Sequence, residues 1–164
     1  MVDARVKAYG GAGAVVALDR VTKRLVETRL SFTDTRSVIP GFFDIIRSQN
    51  RGAAFGMFND SAFEWRTAVL ILISAVAVVA IGILLWNARR MDGRTVAGLA
   101  LILGGAAGNE IDRIATGRVT DFLLFYAGPY QWPAFNVADS CIVIGCGLLL
   151  LDMLRPKRQA ANVS

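Results

Sequence analysis

Apolar residues fall in four long blocks, at about residues 6–26, 67–86, 95–115 and 136–154, and most charged residues lie between or beside them. The second block carries no charge from Thr67 to Trp86. Roughly twenty such residues, coiled as a helix, cross about 30 Å of hydrocarbon. The first block is rich in glycine and alanine over its first half, and the third turns polar towards its end. The pattern predicts one integral-membrane domain over residues 1–164. It has four transmembrane helices, a long first connection at about residues 27–66 and a short connection between the second and third. The uncharged core of the first block, Ala8 to Leu18, has the look of a secretory leader. Asp19-Arg-Val-Thr-Lys-Arg24 follows it directly without a small-residue cleavage site, so an uncleaved helix is expected.

Charge orients the four blocks. Arg5 and Lys7 precede the first, Arg89, Arg90 and Arg94 join the second to the third, and Arg155, Lys157 and Arg158 follow the fourth. Positive residues in short loops mark the cytoplasmic side, so both termini are expected there. The connection between the third and fourth blocks has only Arg118 as a basic residue. The long first connection alternates in part over Ser37 to Arg47, with Pro40-Gly41 as a turn signal. Its aromatics, Phe42, Phe43, Phe55, Phe58, Phe63 and Trp65, favour a small sheet and a helix lying on the bilayer surface. No internal repeat is visible, which weighs against many transporter folds.

Composition sharpens the picture. The chain is 54% hydrophobic and only 19% charged. The net charge of +5 raises nucleic acid as a partner, but the basic residues flank apolar blocks and do not interleave with aromatics, which argues against it. There is no histidine, and the cysteines, Cys141 and Cys146, face different directions on one helix. They form no metal site and read as small buried residues.

Without imidazole, paired carboxyls are the remaining acid–base device. Asp121 falls just beyond the third helix and Asp139 in the first turn of the fourth, both at the outer end. The hairpin between those helices returns the chain to one membrane depth, so both acids share a layer. Ionisable groups at the edge of lipid default to a functional reading. Asp19 and Lys23 lie one turn apart at the outer end of the first helix, and Asn109, Asp112 and Arg113 share spacing near that end of the third. Each has a plainer alternative. Asn136 and Asp139 fit helix capping, and Asp112 and Arg113 fit an ion pair tying helices together. Gly104 and Gly108 fit close helix packing, or room for a substrate backbone.

Five ordered segments resemble the lipoprotein signal peptidase (signal peptidase II) family. They are Asp19-Arg-Val-Thr-Lys23, Asn50-Arg-Gly-Ala-Ala-Phe-Gly56, Gly104-Gly-Ala-Ala-Gly-Asn-Glu-Ile-Asp-Arg113, Val119-Thr-Asp-Phe122 and Phe135-Asn-Val-Ala-Asp139. Glu110 and Arg20 are minor variations on the pattern. The resemblance implies a four-helix membrane bundle with a small extracytoplasmic β-cradle and an interfacial helix. It implies an aspartic endopeptidase of the bacterial inner membrane, without cofactor or metal. Its substrate would be a prolipoprotein whose lipobox cysteine bears a diacylglyceryl group, cut just before that cysteine. The other partner is membrane lipid, and the chain is expected to act as a monomer. The catalytic pair carries over to Asp121 and Asp139. Substrate contacts carry over to Asn50, Gly52, Gly108, Asn109, Arg113 and Asn136, with Asp19, Lys23 and Asp112 as support. Two rivals remain from the residues alone. One is a magnesium-dependent lipid phosphotransferase using Asp112, Asp121 and Asp139. The other is a small non-enzymatic membrane transporter.

Overall fold

The computed structural model describes residues 3–50 and 63–154. Gly52, Phe55, Phe58 and the expected surface helix lie outside the described residues. The order of elements is α1 (Ala4–Arg29), β1 (Thr35–Ile39), β2 (Phe43–Asn50), α2 (Phe63–Trp86), a 3-10 turn (Ala88–Arg90), α3 (Gly93–Thr116), β3 (Val119–Ala127), β4 (Tyr130–Gln131) and α4 (Val137–Met153). The four helices fall on the four apolar blocks. Their ends are set by local chemistry. Asp3 and Asp92 cap α1 and α3 by accepting the amide N–H of Arg5 and Arg94. Gly117 ends α3 at φ 70°, a left-handed conformation that suits glycine.

Helix α3 is the centre of the bundle, packed against α1, α2, α4 and β3. Its glycines make this possible. A side-chain carbon at Gly104 would lie 2.6 Å from the Ala12 carbonyl oxygen of α1. One at Gly98 would lie 2.9 Å from the Gly145 carbonyl oxygen of α4, and one at Gly145 would lie 2.6 Å from the Gly98 carbonyl oxygen. Backbones pressed this closely gain dispersion energy in an environment where lipid tails remove the usual hydrophobic drive. Helix α2 behaves differently. Only 6% of its apolar window is buried, and Leu72, Ile73, Val76, Val79 and Ile83 are all exposed. A residue set this apolar all round and this exposed fits contact with lipid, not water.

The sheet is antiparallel in the order β1-β2-β3-β4. The turn expected at Pro40-Gly41 is present, with Gly41 at φ 79°. Strands β3 and β4 correct the reading of the second outer connection as a bare hairpin: half of the sheet comes from it. Phe43 stacks on Phe125 at 4.5 Å between ring centroids, and Phe125 on Phe135 at 5.8 Å. Phe122 packs instead against Val26 and Leu30 at the end of α1. The sheet is therefore seated on α1, and β3 runs across the mouth of the bundle with Ser48 opposite Asp121.

Candidate active site

Helix α4 begins at a capping box. The Asn136 side-chain oxygen accepts the Asp139 amide N–H at 2.9 Å, and Asp139 Oδ2 accepts the Asn136 amide N–H at 3.2 Å. The capping role expected for these residues is thus real. It also leaves the Asn136 side-chain nitrogen free to point elsewhere. That nitrogen donates to Asp121 Oδ1 at 2.8 Å and to Asn109 Oδ1 at 3.2 Å. Asn109 in turn donates to Asp139 Oδ1 at 2.7 Å. Asp121 and Asp139 are brought together from β3 and α4 through shared partners. Asp121 is 4% exposed. Its burial, reinforced by the charge of Asp139, pushes its pKa up to about 6, against hydrogen bonds from Asn136 and Asn50 and the charge of Lys23.

Beneath the pair lies a buried cation. Lys23 Nζ sits 2.7 Å from Asp19, 2.7 Å from Asp112 and 2.9 Å from Asn109 Oδ1. One hydrogen bond to Asn109 and ion-pair contact with two carboxylates are what make a fully buried lysine tolerable. Asp19 uses its other oxygen to accept the Ala138 amide N–H at 3.0 Å, so it too holds the head of α4. Arg20 adds a second cation to Asp112. The expected helix-tying role of Asp112 is filled through Lys23 and Arg20 on α1. Arg113 does not pair with it but reaches Ser74 on α2 at 3.4 Å. The space beside Gly108 is taken by Asp19, whose Oδ2 would lie 2.8 Å from a side-chain carbon there. That room is used by the ion cluster.

Asn50 ends β2 and is exposed, with its side chain hydrogen-bonded to Asp121. Thr120 and Glu27 were not singled out from the sequence. Thr120 Oγ1 donates to Glu27 Oε1 at 2.7 Å, tying β3 to α1 beside Asp121. A signal was available: Asp19, Lys23 and Glu27 repeat every fourth residue along one face of α1. Glu110, next to Asn109, is buried, and its carboxyl oxygens find no hydrogen-bond partner among the described residues.

Four helices, a small antiparallel sheet and a lipid-facing α2 define an integral membrane protein with a buried carboxyl pair at one end. Solved structures share this fold. A bacterial membrane enzyme determined at 2.3 Å by the in meso method superposes with a TM-score of 0.79 at 28% identity, covering 96% of this chain and 94% of the other. A second, at 1.9 Å, gives 0.78 at 30% identity, covering 91% and 93%. A model of the Signal peptidase (SPase) II family matches residues 12–155. The lipoprotein signal peptidase of Solibacter usitatus is 60% identical over 164 residues, the whole of both chains. That of Symbiobacterium thermophilum is 44% identical over 147 residues, 88% of this chain and 91% of its relative. The chain belongs to the signal peptidase II family.

Proposed function

We propose that Asp121 and Asp139 are the acid–base pair of an aspartic endopeptidase that cuts diacylglyceryl-modified prolipoproteins just before the lipidated cysteine. Family membership makes the chain a peptidase that removes signal peptides from prolipoproteins. The observation that carries the assignment of residues is Asn136, which hydrogen-bonds both carboxyls at once.

Two carboxyls sharing a poorly hydrated site do not both ionise readily. Asp121 is the member that keeps the proton, because it is buried on β3 and faces the charge of Asp139. A bound peptide excludes more water and strengthens that preference. Asp139 stands in the first turn of α4, where the helix dipole favours an anion, and accepts N–H donors from Asn109 and Asn136. It takes a proton from water, whose oxygen attacks the scissile carbonyl carbon. Asp121 gives its proton to the carbonyl oxygen, and a tetrahedral diol forms. On collapse Asp139 returns its proton to the leaving nitrogen, the C–N bond breaks, and Asp121 recovers a proton from the diol. No covalent intermediate is needed.

Lys23 holds Asn109 Oδ1, so the Asn109 amide is aimed at Asp139; both are positioning residues. Asn50 and Arg113 hold the peptide backbone. The four helices span the bacterial inner membrane with both termini cytoplasmic, as the basic flanks of the blocks require. The sheet and the carboxyls then lie at the outer leaflet, where a diacylglyceryl group stays in lipid while its peptide reaches the acids. One chain suffices for the site. The metal-dependent rival loses its third acid, since Asp112 is engaged by Lys23 and Arg20.

The test is cleavage of a diacylglyceryl-modified precursor and its unmodified twin by the purified chain. The modified precursor alone should be cut, at an undiminished rate in EDTA. Wild-type rates from Asp121→Asn or Asp139→Asn would eliminate the pair, and loss of activity in EDTA with recovery in magnesium would overturn the metal-free mechanism.

A further inference from the structure

At the end of the bundle opposite the carboxyls, a groove of about 590 Å³ runs between α1 and α3. Its volume is within the range of about 300–1,000 Å³ typical of ligand pockets. Small residues line it, among them Ala8, Gly11, Ala97 and Ala100, so the helices leave a shallow apolar channel where larger side chains would have closed it. Lys7 and Arg89 stand on its walls.

The charge around this groove is unbalanced. The acids of this end are already committed. Asp3 is gripped by Arg89, Asp92 caps α3, and Asp152 accepts the Thr95 hydroxyl at 2.6 Å. Arg5 lies over the Trp86 ring at 4.7 Å. Lys7 is exposed and, like Arg90 and Arg94, has no ion pair with a carboxylate among the described residues. An apolar channel with an uncompensated ammonium at its mouth matches a molecule that is anionic at one end and aliphatic at the other. Basic pockets between helices at a membrane surface bind anionic lipid head groups for this reason.

We propose that the α1–α3 groove binds one anionic phospholipid, its phosphate at Lys7 and an acyl chain along Ala8, Gly11, Ala97 and Ala100. This site is separate from the carboxyl pair and does not depend on the peptidase chemistry. A neutral lipid would fill the channel without answering the charge, and free phosphate would answer the charge without filling the channel.

The test uses the full chain in detergent, with phosphatidylglycerol or phosphatidylcholine retained and counted by native mass spectrometry. Phosphatidylglycerol should bind at least about fivefold more tightly, the effect of roughly one basic residue near a charged surface. Lys7→Gln should remove that preference and Lys7→Arg restore it. Ala97→Trp should block retention of the lipid while the thermal unfolding midpoint in detergent alone stays near that of the wild type. If Ala97→Trp lowers that midpoint, Ala97→Leu takes its place as the smaller plug. Inorganic phosphate at millimolar concentration should not displace the lipid. Equal binding of both lipids, full binding by the folded plugged variant, or displacement by phosphate alone would overturn the proposal.

Discussion

Asn136 donates its side-chain amide to Asp121 at 2.8 Å while its own backbone N–H is held by Asp139. One residue thereby fixes two acids that come from different elements. Asn136→Ala should cost about 1 kcal/mol of stability for the lost cap. It should lower kcat roughly a hundredfold, the usual effect of removing one oriented donor from a reacting site. Thermal unfolding and steady-state cleavage, measured on one preparation, separate the two effects. A variant as active as the wild type would show that the pair needs no such bridge.

Asp121 makes the enzyme sensitive to pH. Its pKa is raised to about 6 from a model-compound value near 4, so the folded chain binds more protons than the unfolded chain between those values. Stability should therefore fall as pH rises through that window. In the proposed mechanism the proton Asp121 keeps is the one given to the carbonyl oxygen. In the free enzyme kcat/KM should decline above about pH 6. The corresponding limb of kcat should lie higher, because bound peptide excludes water. A kcat/KM that rises through pH 6 to 8 would assign the proton elsewhere.

Lys23 supports the site from below. Replacing it with Met leaves Asp19 and Asp112 buried without their shared cation, a change expected to cost about 3–5 kcal/mol. Arg20→Gln should cost far less, since the Arg20 side chain is 39% exposed and Lys23 still serves Asp112. Detergent-solubilised unfolding midpoints would rank the two, and equal losses would contradict the arrangement.

Glu110 offers the opposite sign. Its carboxyl is buried and unpartnered among the described residues. An unsatisfied buried polar group costs about 1–3 kcal/mol, so Glu110→Leu should raise the unfolding midpoint. Cleavage should be unchanged, because Asn109 and not Glu110 touches Asp139. A lower midpoint would mean that Glu110 has a stabilising partner.

The close helix contacts give a steric prediction. Gly105→Val should prevent stable folding, because the added carbons run into the Ala138 backbone and Ile142 of α4. Gly147→Ala should be tolerated, since nothing lies within 4 Å of the new carbon. Yield of folded protein after membrane extraction distinguishes them.

Helix α2 was legible because lipid imposes a simple rule: a spanning segment is long and apolar, and Thr67 to Trp86 obeys it without exception. The layer containing Asp121 and Asp139 was legible from the same rule, since a short connection brings the chain back to one depth. Strand β3 was not. Both of its faces are covered, as shown by the burial of Val119, Thr120, Asp121 and Phe122 in succession, so it lacks the alternation that marks a half-buried strand. The meeting of Lys23 with Asp112 was hidden for a different reason. It depends on how α1 rotates against α3, and that rotation is set by backbone contacts at Gly104 which no periodicity reports. Asn109 and Asn136 could be named as site residues, but which acid each one served depended on the capping box.

Asp139 caps α4, and the proposed mechanism gives it a second, chemical occupation. A descendant that abandoned proteolysis by losing this acid would also inherit a loosened head on its last helix. Inactive relatives that remain sound should therefore carry a substitute anchor at that turn.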